Sequence, residues 1–104
     1  MDIKYYAVFN YDEYDSNQEK YGISITFPDI PEAVTCARND KERLDMALEV
    51  LQLVLIKDDG SWPSENSLPI PTPLNKIKLR QNEKAVLIRY DTQDADMNEF
   101  QFFR

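Results

Sequence analysis

Apolar and polar positions alternate cleanly over residues 21–27, Tyr-Gly-Ile-Ser-Ile-Thr-Phe: Tyr21, Ile23, Ile25 and Phe27 share one face, Ser24 and Thr26 the other. Period-two patterning of this kind marks a half-buried strand. Residues 3–11 repeat it, with Ile3, Tyr5, Ala7, Phe9 and Tyr11 on one face and a mixed alternate face. The two strands are predicted to pair antiparallel across a polar, mostly acidic loop at 12–20. Pro28 and Pro31 cannot both continue a ladder, so the chain is expected to bend sharply there before a short third strand at 33–37. The period then changes. Leu44, Ala47, Leu48, Leu51, Val54 and Leu55 recur at helical spacing, after an Asn39/Glu42 pair with the spacing of a capping box. This helix is predicted to reach about Lys57 and to stop at Asp58-Asp59-Gly60, with Gly60 as its left-handed terminator. Residues 61–74 are proline-rich and predicted to be extended, with Leu68, Ile70 and Leu74 as apolar anchors. Residues 84–90, Lys-Ala-Val-Leu-Ile-Arg-Tyr, read as a returning fourth strand. The order β-β-β-α-β predicts a two-layer α+β sandwich, an antiparallel sheet with one amphipathic helix on one face.

A length of 104 residues fits one domain, with its core expected within 3–90 and an acidic, then aromatic, tail at 91–104. In that tail Phe100, Phe102 and Phe103 are costly to leave wet. They are expected either to fold back on the core or to pack on a second copy or a partner. With the open sheet edges, they make a homodimer or higher homo-oligomer the expected state. Met1-Asp2-Ile3-Lys4 lacks the pattern of a signal peptide, no apolar run spans a bilayer, and Cys36 has no second cysteine to pair with. These features point to the cytoplasm, without membrane association.

Composition narrows the chemistry. The absence of histidine removes the commonest general base and metal ligand. Cys36, in a short strand, reads as a small buried hydrophobe. Two glycines cannot build a phosphate-cradling loop. Asp29 and Asp91, at strand ends, are the one pair of carboxylates placed to converge on a metal, and turn or solvation roles are the commoner use of such residues. No catalytic residue and no cofactor is expected. The net charge of −7 disfavours polyanions and suits a basic protein partner, although solubility alone accounts for it equally well. Lys76, Lys78, Arg80, Lys84 and Arg89 form the sole basic concentration and give an alternative reading as a nucleic-acid-binding module.

Tyr5-Tyr6-Ala7-Val8-Phe9, the strand leading into Phe27-Pro28-Asp29-Ile30-Pro31, the helix carrying Ala47-Leu48, and Leu68-Pro69-Ile70-Pro71-Thr72-Pro73 together resemble the HicB-like antitoxin family. The resemblance covers residues 3–90. It implies a degenerate, catalytically empty ribonuclease-H-like domain that masks a small basic ribonuclease toxin of the HicA type. Two departures stand out. Glu32-Ala33 follow Pro31 where the family usually has Gly and then a small residue or Cys, and residues 91–104 are too short for the family's C-terminal DNA-binding module. Charge and expected exposure, rather than a family motif, nominate Asp12, Glu13, Asp15 and Glu19 in the hairpin loop, with Asp29 at the bend, as partner-binding residues.

Overall fold

Residue alternation and turn chemistry produce four strands and one helix in the computed structural model, which describes residues 1–14 and 22–93. The elements are β1 (Asp2–Asn10), β2 (Ile23–Thr26), β3 (Val34–Ala37), α1 (Arg43–Leu55) and β4 (Glu83–Asp91). The sheet order is β3-β2-β1-β4, antiparallel throughout, with Phe9 opposite Ile25 on one side and Lys84 on the other. One helix against one antiparallel sheet makes this the expected α+β sandwich.

Directly opposed residues in antiparallel strands point to the same face. Ile3, Tyr5, Ala7, Phe9, Ile23, Ile25, Phe27, Ala37, Ile88 and Tyr90 therefore line one face, and all of them are buried. Ala47, Leu48 and Leu51 of α1 close the core over them. Fully burying a side chain such as Phe9 or Leu51 stabilises the fold by about 1.5–3 kcal/mol. The opposite face carries Lys4, Tyr6, Val8, Ser24, Thr26, Cys36, Leu87 and Arg89. Cys36 is thus half-buried on the outer face, opposite Ser24, and not part of the core as its sequence context suggested.

The helix departs from expectation at both ends. Asn39 Oδ1 accepts the Glu42 N–H at 3.1 Å, the capping bond predicted, but it secures the turn before α1. Glu42 reaches past Asn39 to the Arg38 N–H at 3.4 Å and grips the Arg38 guanidinium, with Nε at 2.8 Å. At the other end the helix stops at Leu55, and Ile56 is already extended. Gly60 does adopt a left-handed φ of 84°, but in a separate turn. Its N–H donates to Lys57 O at 2.9 Å, and Lys57 N–H donates to Ser61 O at 2.8 Å. Asp59 Oδ1 takes the Ser61 N–H and hydroxyl, so local side-chain bonding wins over another helical turn.

The proline-rich segment is strapped down by polar contacts more than by its apolar residues. Leu68 and Trp62 pack against the core, but Ile70 is 89% exposed and Leu74 49% exposed, so neither anchors the segment. Tyr5 hydroxyl donates to Pro69 O at 2.6 Å. Asp29 accepts the Thr72 N–H at 2.8 Å and the Thr72 hydroxyl at 2.6 Å. No helix among the described residues is long and apolar enough to cross a membrane.

Candidate partner-binding surface

The β1–β2 connection leaves β1 through an Asx-type turn, in which Asn10 Oδ1 accepts the Asp12 N–H at 2.9 Å. Tyr14 N–H then donates to Tyr11 O at 3.1 Å, leaving Asp12 and Glu13 exposed at the tip of the described turn. Gly22 receives the returning chain. A Cβ there would sit 2.6 Å from Glu13 O, so only glycine permits this approach.

Behind the turn stands a polar cluster that the sequence reading did not assemble. Tyr11 and Tyr14 meet edge to face, with ring centroids 5.7 Å apart. Tyr11 hydroxyl donates to Asp40 at 2.8 Å and accepts from Arg43 Nη1 at 2.6 Å. Arg43 stacks over Phe9 with 5.5 Å to the centroid, and Lys84 Nζ lies 5.4 Å from the Tyr11 ring centre. Burial, then the Asp40 hydrogen bond, raises the Tyr11 hydroxyl above its ordinary titration range against the opposing pull of Arg43. The cluster stays neutral at Tyr11 and presents Asp12, Glu13 and Asp40 to solvent. Asp40 precedes the helix by three residues, and its only sequence signal was its place in the capping region.

Asp29 is not part of this patch. It follows β2, at the opposite end of that strand from the hairpin turn, and its two oxygens are taken by Thr72. It lines a groove on the outer sheet face with Val8, Lys76, Lys78, Arg80 and Glu83. The groove thus brings one member of the acidic set together with three of the basic set. Glu83 ties the two regions: it accepts from Arg80 N at 2.8 Å and from Asn10 Nδ2 at 2.9 Å, while Asn82 Nδ2 donates to Asp12 at 3.1 Å. The other two basic residues lie elsewhere. Lys84 lies over Tyr11, and Arg89 pairs with Asp2 at 3.1 Å. The five basic residues therefore do not form one surface. Asp15, Glu19, Phe100, Phe102 and Phe103 lie outside the described residues.

The carboxylates considered for a metal are engaged separately, Asp29 with Thr72 and Asp91 with the Gln93 N–H at 2.9 Å. Among the described residues, no group of three potential ligands gathers.

Neither a protein-family model nor any curated protein matches this sequence. Among solved structures, the fold matches a chain of a toxin–antitoxin complex from Streptococcus pneumoniae, 22% identical, with a TM-score of 0.66, over 100% of this chain and 79% of that chain. At that identity the likeness establishes a common fold.

Proposed function

We propose that this chain is a non-catalytic, HicB-like antitoxin that masks a small basic ribonuclease toxin of the HicA type in the cytoplasm. The observation that carries the reading is the fold it has in common, over its whole length, with a chain of a toxin–antitoxin complex. The hydrogen bonds add support, because they join the separate motifs on which the family resemblance rests. Asp29 of the Phe-Pro-Asp-Ile-Pro bend holds Thr72, and Tyr5 of the tyrosine-rich strand holds Pro69. The motifs are distant in sequence yet form one structural unit.

The mechanism is steric and electrostatic. A toxin that cleaves RNA must offer cationic side chains to phosphate. An acidic surface carrying Asp12 and Glu13, beside Asp40 with its internal partners Tyr11 and Arg43, competes for those side chains and excludes RNA by occupying their face. The chain's net charge of −7 draws a basic partner in from a distance.

The test uses the protein encoded by the adjacent reading frame, purified and given labelled RNA. Equimolar addition of this chain should stop cleavage. An adjacent frame encoding no small basic protein, or cleavage that continues unchanged, overturns the reading. Direct RNA or DNA binding through Lys76 to Arg89 has less support, since Lys84 and Arg89 lie away from the groove and the other three share it with Asp29 and Glu83. A gel shift at low salt with the chain alone would bring it forward.

A further inference from the structure

Among the described strands, β4 is an edge strand of nine residues with no proline and an uninterrupted Ala85-Val86-Leu87-Ile88 centre. Natural proteins blunt such edges with charge, proline, bulges or short length, and an edge left long and apolar is a pairing site. The other edge, β3, has only four residues. The register shows which backbone groups of β4 have no partner among the described strands. Tyr11 N–H donates to Asn82 O, Thr92 N–H donates to Met1 O, and every β1–β4 partner follows the same register between them. Hydrogen-bonded pairs alternate in an antiparallel ladder. Residues 84, 86, 88 and 90 therefore turn their amides toward β1, and residues 83, 85, 87, 89 and 91 turn theirs outward. Beside this edge Leu87 is 43% exposed, and Leu44 of α1 is 39% exposed along the same cleft.

We propose that this edge is a homodimer contact in which β4 pairs antiparallel with β4 of a second copy, the two Val86 residues meeting on the two-fold axis. Charge selects the occupant. Glu83 and Asp91 balance Lys84 and Arg89, so β4 is neutral within a chain of net charge −7. A neutral strip adds no local repulsion to the approach of an equally acidic second copy and gives no advantage to a basic protein. Charge also selects the register. With Val86 on the axis, Glu83 faces Arg89 of the second copy at both ends, and Ala85 faces Leu87. Centring on Leu87 instead would set Glu83 against Asp91, which opposes like charges. In the chosen register, outward amides meet outward amides at the 85–87 and 83–89 pairs. Val86 then faces its copy in a non-hydrogen-bonded pair, with Cα atoms about 4.5 Å apart. The contact continues the sheet across the dimer and is independent of the antitoxin reading, since it leaves Asp12, Glu13 and Asp40 at the ends of other elements.

The test is made on the full chain. Sedimentation at micromolar concentration should give the dimer mass, and Leu87→Lys should weaken the dimer about tenfold or more. In a Cys36→Ser background, Val86→Cys should oxidise to a covalent dimer, because a Cα separation of about 4.5 Å suits a disulfide. Lys84→Cys, which would face Ile88 of the second copy, should stay monomeric on a denaturing gel. A monomeric wild type overturns the proposal and leaves the edge to residues 94–104 or to another protein. A dimer indifferent to Leu87→Lys, or a crosslink at 84 and not at 86, overturns it as well.

Discussion

Asp29 and Thr72, 43 residues apart, form a two-point clamp: the carboxylate accepts both the backbone N–H at 2.8 Å and the side-chain hydroxyl at 2.6 Å. The clamp fastens the proline-rich segment to the bend after β2, and that segment has few apolar contacts to hold it otherwise. Asp29→Ala is expected to cost about 1.5–3 kcal/mol, the usual range for hydrogen bonds to a charged acceptor. Thr72→Val, which keeps the N–H bond, should cost about 1 kcal/mol. Urea denaturation of both single variants and the double variant would give the coupling energy. Additive losses would mean that the contact does not contribute as a unit.

Tyr90 has its hydroxyl buried with no hydrogen-bond partner among the described residues, while its ring lies 5.6 Å from that of Trp62. An unpaired buried hydroxyl is a net cost, so Tyr90→Phe should leave stability at neutral pH unchanged or raise it by about 1 kcal/mol. Burial first, and the nearby Tyr5 second, raise the Tyr90 hydroxyl well above its ordinary value of 10.0. The folded state therefore keeps a proton that the unfolded state loses. Stability is fully present below about pH 10 and falls as pH rises beyond it. Tyr90→Phe should flatten that alkaline decline, as read from urea midpoints across the alkaline range.

The layers of the fold were legible because residues such as Ile23, Ile25 and Leu51 follow one clean period and are among the most deeply buried side chains. Long-range polar pairing was not. Nothing local in the sequence joins Tyr11 to Asp40 and Arg43, because their meeting depends on how α1 crosses the sheet. The same applies to Asp29. Its charge nominated it for partner binding, but its hydrogen bonds are made within the chain. The basic set divides in the structure: Lys76, Lys78 and Arg80 line one groove, while Lys84 lies over Tyr11 and Arg89 pairs with Asp2. Ile70, between Pro69 and Pro71, is exposed and does not anchor the segment.

Gly22 is irreplaceable for a reason of space and not of backbone angle. An added Cβ would meet Glu13 O at 2.6 Å and Tyr14 Cα at 2.9 Å, both backbone atoms of the turn it closes against. Gly22→Ala should displace the turn and cost about 1–3 kcal/mol, within the ordinary range for a steric clash. Thermal denaturation would report the loss. An unchanged midpoint would show that the two arms of the hairpin can part freely.

Glu83 has a side chain only 8% exposed and accepts from Arg80 N–H, Asn10 Nδ2 and Arg80 Nη2. The Arg80 backbone N–H, and next the Asn10 amide, hold its carboxyl below the ordinary value of 4.5. The unfolded state therefore takes up a proton before the folded state does. The contribution is present above about pH 4.5 and is lost as pH falls through the lowered folded value. Glu83→Gln should be less stable than wild type at neutral pH, with the gap closing in acid. A gap that stayed constant with pH would assign the effect to packing instead.

Asp12 and Glu13 project from the turn that Asn10, Asn82 and Gly22 hold in place, so their charges are presented from a fixed position. If this patch steers a basic partner, the effect belongs to the association rate, because exposed charges act mainly before contact. Reversing both, Asp12→Lys with Glu13→Lys, should slow association about tenfold at low salt. The difference should shrink as salt brings the screening length to about 10 Å or less. Asp58 and Glu65, both exposed and outside the turn, are the matched control: reversing both changes net charge by the same amount but leaves the patch intact. Stopped-flow association with the adjacent basic protein separates the two effects. Equal slowing by the double reversal of Asp58 and Glu65 would show that net charge, and not this surface, guides the encounter.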